Sequence, residues 1–289
     1  MQTLTIAWSL TGTWSVDRPL NSVVAGSSVA SSSCGNVRQR LKMRKVFKYI
    51  GIILFFVFLT AFAYYSYSVF KARHYTQRVI LTDIQKNQWR SLNKEPKKID
   101  VKSSDLTDRQ RKILIKVQDP GFYNHHGFDL ATPGAGLTTI TQAIAKKLYF
   151  EKFTPGFAKI KQSIIARFVI DDLISKEEQL TIFLNSMYFG KVNNRPLIGI
   201  VEASKVYYHN SVYNLTEEQY ISLVAMLVMP GTFHILDHPE WNKDRVNRIK
   251  ALIEGKYTPK GLMDQFYGDL PKDVLKAGVP PASYFGKED

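Results

Sequence analysis

A mostly α-helical domain behind one N-terminal transmembrane helix is what the sequence predicts, on three observations. Residues 49–70, Tyr49 to Phe70, form 22 consecutive positions without a charge, rich in Ile, Leu, Phe, Val and Tyr. Further on, Ser or Thr precedes Gln or Glu by three at Thr107/Gln110, Ser175/Glu178 and Thr216/Gln219, each pair heading an apolar run at helical spacing. Between them, Ile160, Ile164, Ile165, Phe168 and Val169 recur with the same period. A hydrophobic share of 45% excludes disorder over most of the chain, and a single cysteine, Cys34, excludes an intrachain disulfide and any Cys-based zinc cluster.

As a helix, the uncharged stretch reaches roughly 33 Å, enough for the hydrocarbon core of a bilayer. Lys42, Arg44, Lys45 and Lys48 precede it, which places the N terminus in the cytoplasm and residues 71–289 on the outer face. Lys71 and Arg73 weaken that asymmetry without reversing it, and Tyr64, Tyr65 and Tyr67 suit the outer interface. The rival reading is a cleaved signal peptide, because Ala61-Phe62-Ala63 has the small-residue spacing of a cleavage site. The apolar stretch runs on past that point and favours an uncleaved anchor. Upstream, the Ser/Val/Ala/Gly tract from Val23 to Asn36 has no sustained period and is read as a disordered leader. Met43-Arg44-Lys45 would itself make a normal start, which leaves open an over-called gene start.

Of the net charge of +14, the first 48 residues carry seven Lys/Arg and one Asp, so a basic arm precedes a moderately basic body. Boundaries are expected at 1–42 for the leader, 43–71 for the anchor, 72–104 for a membrane-proximal spacer, 105–255 for the helical domain and 256–289 for a C-terminal extension. Within the spacer, Val79-Ile80-Leu81 reads as a short strand. The helix opened by Thr216 is expected to stop at Pro230-Gly231.

Three segments could carry chemistry. Gln118 to Asp129 closes the helix from Thr107 and turns through Pro120-Gly121; its two histidines and two aspartates leave a metal site open beside a plain polar turn. Gly134 to Lys147 is a glycine-flexed loop feeding a Thr-rich helix start, which suits either a phosphate or an ordinary cap. Lys159 to Arg167 puts Lys159, Gln162, Ser163 and Ala166 on one side of a helix, a solvated face or a holder for a lipid-linked phosphate.

Read together, these segments resemble the peptidoglycan glycosyltransferases of family 51, which polymerise lipid II in penicillin-binding proteins and monofunctional relatives. That family's first motif, Glu-Asp-x-x-Phe-x-x-His-x-Gly-x-Asp, is matched by Asp119, Phe122, His125, Gly127 and Asp129. Its second, Gly-x-Ser/Thr-Thr-Ile-Thr-Gln-Gln-x-x-Lys, is matched by Gly136, Thr138, Thr139, Ile140, Thr141, Gln142 and Lys146. Ser175-Lys176-Glu177-Glu178 and Phe183-Leu184-Asn185 through Gly190 fit later blocks, Asn185 included. The resemblance implies a lysozyme-like fold and a bacterial inner-membrane protein whose site faces the outer surface. Its implied partners are lipid II, the nascent glycan strand, the membrane and other cell-wall synthesis proteins, with no nucleic acid. It further implies that Thr138, Thr139, Thr141, Gln142, Lys146, Lys159 and Lys161 stabilise the leaving pyrophosphate, with a divalent metal, Mg or Mn, as the family's frequent cofactor.

The departures fall at the chemistry. The general-base Glu is replaced by Gln118, with Asp119 beside it as an imperfect substitute. The second catalytic Glu, counted back from Ser175, is Ser163, or Gln162 if the register slips by one. Ala143 replaces the second Gln of the second motif, and only residues 130–135 separate Asp129 from Gly136, where the family has a much longer segment. Neutral groups at both positions leave two readings: an unconventional glycosyltransferase, or a pseudoenzyme that binds lipid II or cell-wall partners. A transpeptidase is not expected, since no Lys-Thr-Gly occurs and Ser91-x-x-Lys94 lies in the spacer.

Overall fold

The computed structural model describes the backbone of residues 29–277 and the side-chain surroundings of residues 43–274, so that residues 1–28 of the expected leader, and the side chain of Cys34, lie outside the described residues. The described residues divide between Thr60 and Ala61 into two units. The first holds most of helix α1 (Val29–Tyr75), whose opening turns fall within the expected leader. Phe47, Ile50, Leu54 and Phe58 are exposed along it, as is every large apolar side chain near them. The helical stretch Met43–Gln85, with a mean hydropathy of 2.3 in its most apolar window, is long and apolar enough to cross a membrane.

In the second unit the end of α1 passes through a π-turn, Thr76–Ile80, where the Leu81 N–H reaches back to Thr76 O, and then into α2 (Leu81–Gln85). This corrects the strand expected at Val79-Ile80-Leu81. Ile80 is 2% exposed in the core, and the Thr76 hydroxyl donates to Ala72 O and meets Tyr149 Oη, so packing holds the segment helical against its β-branched composition. The nearby strands are shorter and later: β1 (Gln88–Trp89) pairs antiparallel with β2 (Lys97–Lys98).

The remaining elements are predominantly helical: α3 (Asp108–Gln118), α4 (Ile140–Tyr149), α5 (Phe157–Ile165), α6 (Asp171–Leu173), α7 (Lys176–Ser186), α8 (Ile200–Tyr208), α9 (Glu217–Met226), α10 (Pro239–Ile253) and α11 (Lys272–Ala277). All three expected capping boxes are made, at Thr107, Ser175 and Thr216. Helix α9 is the centre of one layer: every residue from Tyr220 to Met226 is buried, against α3, α8 and α10. It stops at Met226, four residues before the Pro-Gly expected to end it. Helix α4 centres the other layer, packed on α5 and α7.

The apolar stripe from Ile160 to Val169 splits. A second π-turn, Ala166–Ile170, follows α5, so Ile165 and Val169 enter the core while Ile160 and Phe168 stay exposed. Between α7 and α8 lies an antiparallel hairpin, β3 (Tyr188–Val192) and β4 (Arg195–Ile198), turned by Asn193 and Asn194 at φ 52° and 62°. Two successive left-handed residues make the primed turn that matches strand twist, and Asn tolerates it. Asn185, near the end of α7, ties the extended chain before α3 to the body: its amide accepts from Asp100 N–H at 2.8 Å and donates to Val101 O at 2.7 Å.

Candidate functional site

Helix α3 delivers Gln118 at its last turn. The side chain is half-buried, and its Nε2 donates to Val224 O at 3.2 Å, at the end of α9. Asp119 follows and is fully buried. One carboxylate oxygen accepts from the Ile140 N–H at 2.9 Å, and both lie 2.9 Å from His125 Nε2. His125 Nδ1 accepts from the Gly127 N–H at 3.1 Å, so the ring proton sits on Nε2 and points at Asp119. Phe122 is buried beneath this knot, with Lys176 Nζ over its ring at 4.8 Å and donating to His125 O at 3.1 Å.

Asp129 closes the turn by accepting the Ala131 and Thr132 N–H groups at 2.8 and 3.0 Å. Burial pushes its carboxyl up, but these bonds and the Thr132 hydroxyl outweigh burial and hold it below the usual range. Gly127, at φ +87°, lies so close to the π-turn that a Cβ would stand 2.7 Å from the Ala166 carbonyl. Gly127→Ala is therefore expected to cost about 1–3 kcal/mol in backbone strain alone, with the clash adding to it, and to lower the thermal midpoint by several degrees. An unchanged melting curve would contradict this contact.

The start of α4 already holds an anion, and it is the protein's own. Asp119 occupies the Ile140 N–H, while Thr139 caps the helix: its hydroxyl accepts from Gln142 N–H at 3.1 Å and donates to Gly127 O at 2.8 Å. Gln142 Oε1 returns to Thr139 N–H at 3.0 Å, a fourth capping box with the same signature as the three read from the sequence. Thr141 is fully buried and donates to Gln179 Oε1 at 2.7 Å. Thr139 and Thr141 thus face into the fold.

A second group of the expected residues converges where α5 crosses α4. Gln142 Nε2 donates to Ser163 Oγ at 2.7 Å, and Ser163 Oγ donates to Lys159 O at 3.0 Å. Lys159 Nζ donates to the exposed Thr138 hydroxyl at 2.8 Å. Partial burial, reinforced by the charge of Lys146, lowers the Lys159 ammonium to about 8. Lys146 and Lys161 lie over the rings of Phe153 and Phe150, at 5.2 and 5.4 Å. Gln162 is 2% exposed and donates to Gln142 O at 2.5 Å. Both candidates for the second Glu position therefore touch Gln142: Ser163 on the half-open side, Gln162 on the closed one.

The donor sets do not fit a divalent metal. His125 turns in to Asp119, whereas His126 is exposed and meets Asp171 at 3.1 Å, so the adjacent histidines diverge. Among the described residues no three His, Cys, Asp or Glu side chains converge. Beside Lys159 the oxygens are the hydroxyls of Thr138 and Ser163, with no carboxylate among these contacts, a set suited to an anion and not to a hard dication.

The C-terminal segment is the part of the site that sequence reasoning missed. Gly134 N–H donates to Gly261 O at 2.9 Å and Gly136 N–H to Leu262 O at 2.8 Å, so the loop before α4 is held by residues well beyond the motifs. No periodicity or turn signature marks that pairing.

Comparison with known proteins identifies the family. A family model described as Transglycosylase matches residues 85–254. The chain is 29% identical over 239 residues to penicillin-binding protein 1F of Bacillus subtilis, covering 74% of this chain and 32% of that protein. It is 30% identical over 147 residues to the biosynthetic peptidoglycan transglycosylase of Acinetobacter baumannii, covering 46% of this chain and 62% of that one. With penicillin-binding protein 1A of Vibrio cholerae it shares 26% over 194 residues, 62% of this chain and 23% of the relative. The chain spans less than two thirds of each of these relatives. With the family model spanning more than half of the chain, and the motif blocks assembled around α3, α4 and α7, this protein belongs to the transglycosylase family.

Proposed function

We propose that this protein binds lipid II on the outer face of the bacterial inner membrane, anchored by α1 with its N terminus inside, and lacks the general base of the polymerisation step. In this reading Lys159, Lys146 and Thr138 receive the pyrophosphate as preorganised donors facing its negative charge. Polymerisation needs a group that takes the proton from the 4-hydroxyl of the acceptor sugar as its oxygen attacks the donor's anomeric carbon and the undecaprenyl pyrophosphate leaves. Gln118 and Ser163 have no usable pKa near 7 for that task.

The observation that carries the reading is the engagement of Asp119. It is the carboxylate adjoining the base position, and the Ile140 N–H and His125 already use both of its oxygens. Its release would orphan two buried donors, at about 1–3 kcal/mol each. The nascent glycan strand and other cell-wall synthesis proteins are the further partners of this reading.

The test is labelled lipid II mixed with the detergent-purified full chain. Bound lipid II without glycan polymer is the expected result. Polymer at a rate typical of an enzyme, about 1 s⁻¹ or more, would establish an unconventional glycosyltransferase instead. Absence of any lipid II binding would remove both readings.

A further inference from the structure

Residues 256–271 carry no regular secondary structure and follow the family match, which ends at residue 254, yet they are fixed at both ends. At one end they pair with the loop before α4 through Gly261 O and Leu262 O. Both glycines of that loop have positive φ, +80° at Gly134 and +68° at Gly136. A Cβ at Gly134 would stand 3.0 Å from Pro259, and one at Gly136 would stand 2.4 Å from Gln265 Oε1. At the other end Tyr267, 3% exposed, donates its hydroxyl to Val117 O at 3.1 Å, one residue before Gln118.

Two devices hold the segment in shape. Asp264 closes it on itself, accepting the Tyr257 hydroxyl at 2.7 Å, the Lys260 N–H at 2.9 Å and the Gly268 N–H at 2.9 Å. Beneath it the guanidinium of Arg245, 1% exposed, sits within a cage of Tyr267, Phe266 and Phe233, at 4.8, 5.5 and 5.7 Å from the ring centroids. Its Nε and Nη1 have no hydrogen-bond partner among the described residues, and the rings of the segment and of Phe233 surround it.

We infer that residues 257–268 are a strap that positions the two halves of the candidate site, the α3 end bearing Gln118 and the glycine loop bearing Thr138. The loop has no ladder of its own. Its two buried glycine N–H groups must be satisfied, and the strap carbonyls satisfy them. The same strap grips the last turn of α3, so Tyr257 to Gly268 add a second tie between the α3 end and the glycine loop, beside the direct Asp119–Ile140 bond. Asp264, Gln265 and Tyr267 are positioning residues, acting through the loop and through Val117.

Hydrogen–deuterium exchange on the full chain in detergent tests this without reference to the ligand, whereas a parallel lipid II binding arm rests on the function proposed above. Asp264→Ala is expected to speed exchange at least about tenfold in peptides covering 113–119 and 130–138, leaving α7 and the middle of α9 unchanged. Lipid II affinity should fall several-fold in the same variant. Gln265→Ala and Tyr267→Phe, which are milder, are expected to loosen only the loop and only the α3 end respectively, and they serve if Asp264→Ala does not fold. Unchanged exchange in both regions would overturn the strap. So would exchange raised equally in α7 and α9, which marks a merely structural role. If the unmodified protein binds no lipid II, the proposed function fails and the exchange data still decide the strap.

Discussion

Gln118→Glu combined with Ser163→Glu raises glycan-chain formation from lipid II by about 10²–10⁴-fold over the unmodified chain. The size is that of one general base restored to a site that keeps its binding groups. The structure adds a reason why position 118 can be activated. Gln118 presents an N–H to Val224 O, and a carboxylate of the same shape would present an oxygen there. Two acceptors face to face repel, so that contact favours the protonated carboxyl, and the ionised form swings off it. Either response moves the group toward what a base needs: a raised pKa or a free oxygen. The stability cost of Gln118→Glu should stay near 1–2 kcal/mol, since one half-buried hydrogen bond is exchanged. Failure of the double variant to polymerise, with lipid II binding intact, would show that the site has lost more than its base.

Affinity for lipid II falls as the pH rises through about 8, because the Lys159 ammonium loses its proton there. A charge-assisted bond to a phosphate contributes about 1.5–3 kcal/mol, and the protonated fraction falls about 30-fold over this range, so about 10–30-fold in affinity disappears between pH 7 and 9.5. Folding stability moves the other way. Lys159 holds its proton less tightly folded, at about 8, than at its ordinary value of 10.5, so between those limits the unfolded chain carries more protons and stability rises with pH. Binding that weakens while the fold strengthens is a signature that general alkaline unfolding cannot imitate. Lys159→Arg, whose charge persists, should flatten the binding profile. A profile that keeps its fall near pH 8 in that variant would assign the titration to another group.

Much of the fold could be read from local chemistry. Capping boxes need only side chains three residues apart, so Thr107, Ser175 and Thr216 announced their helices without tertiary information. The same signature at Thr139 and Gln142 left a cap and a phosphate site equally open, because a threonine hydroxyl serves either, and the fold shows that the capping box is made. Val79-Ile80-Leu81 looked like a strand because β-branching was weighed without the packing of Ile80. The Asn193-Asn194 turn carries a hairpin signal in two turn-forming residues flanked by strand formers. The strap was beyond reach: its bonds to the glycine loop join residues more than a hundred positions apart through backbone atoms, which leave no pattern in side-chain identity.

The Asp119–His125–Ile140 knot bears on how genomes are read. Asp119, His125, Gly127, Thr139 and Gln142 hold one another in place, so folding alone requires them whatever the chain does with a substrate. A scan that scores those positions measures architecture. It scores this chain as readily as one bearing both carboxylates, so an inventory of wall-building capacity has to read positions 118 and 163 separately from the knot.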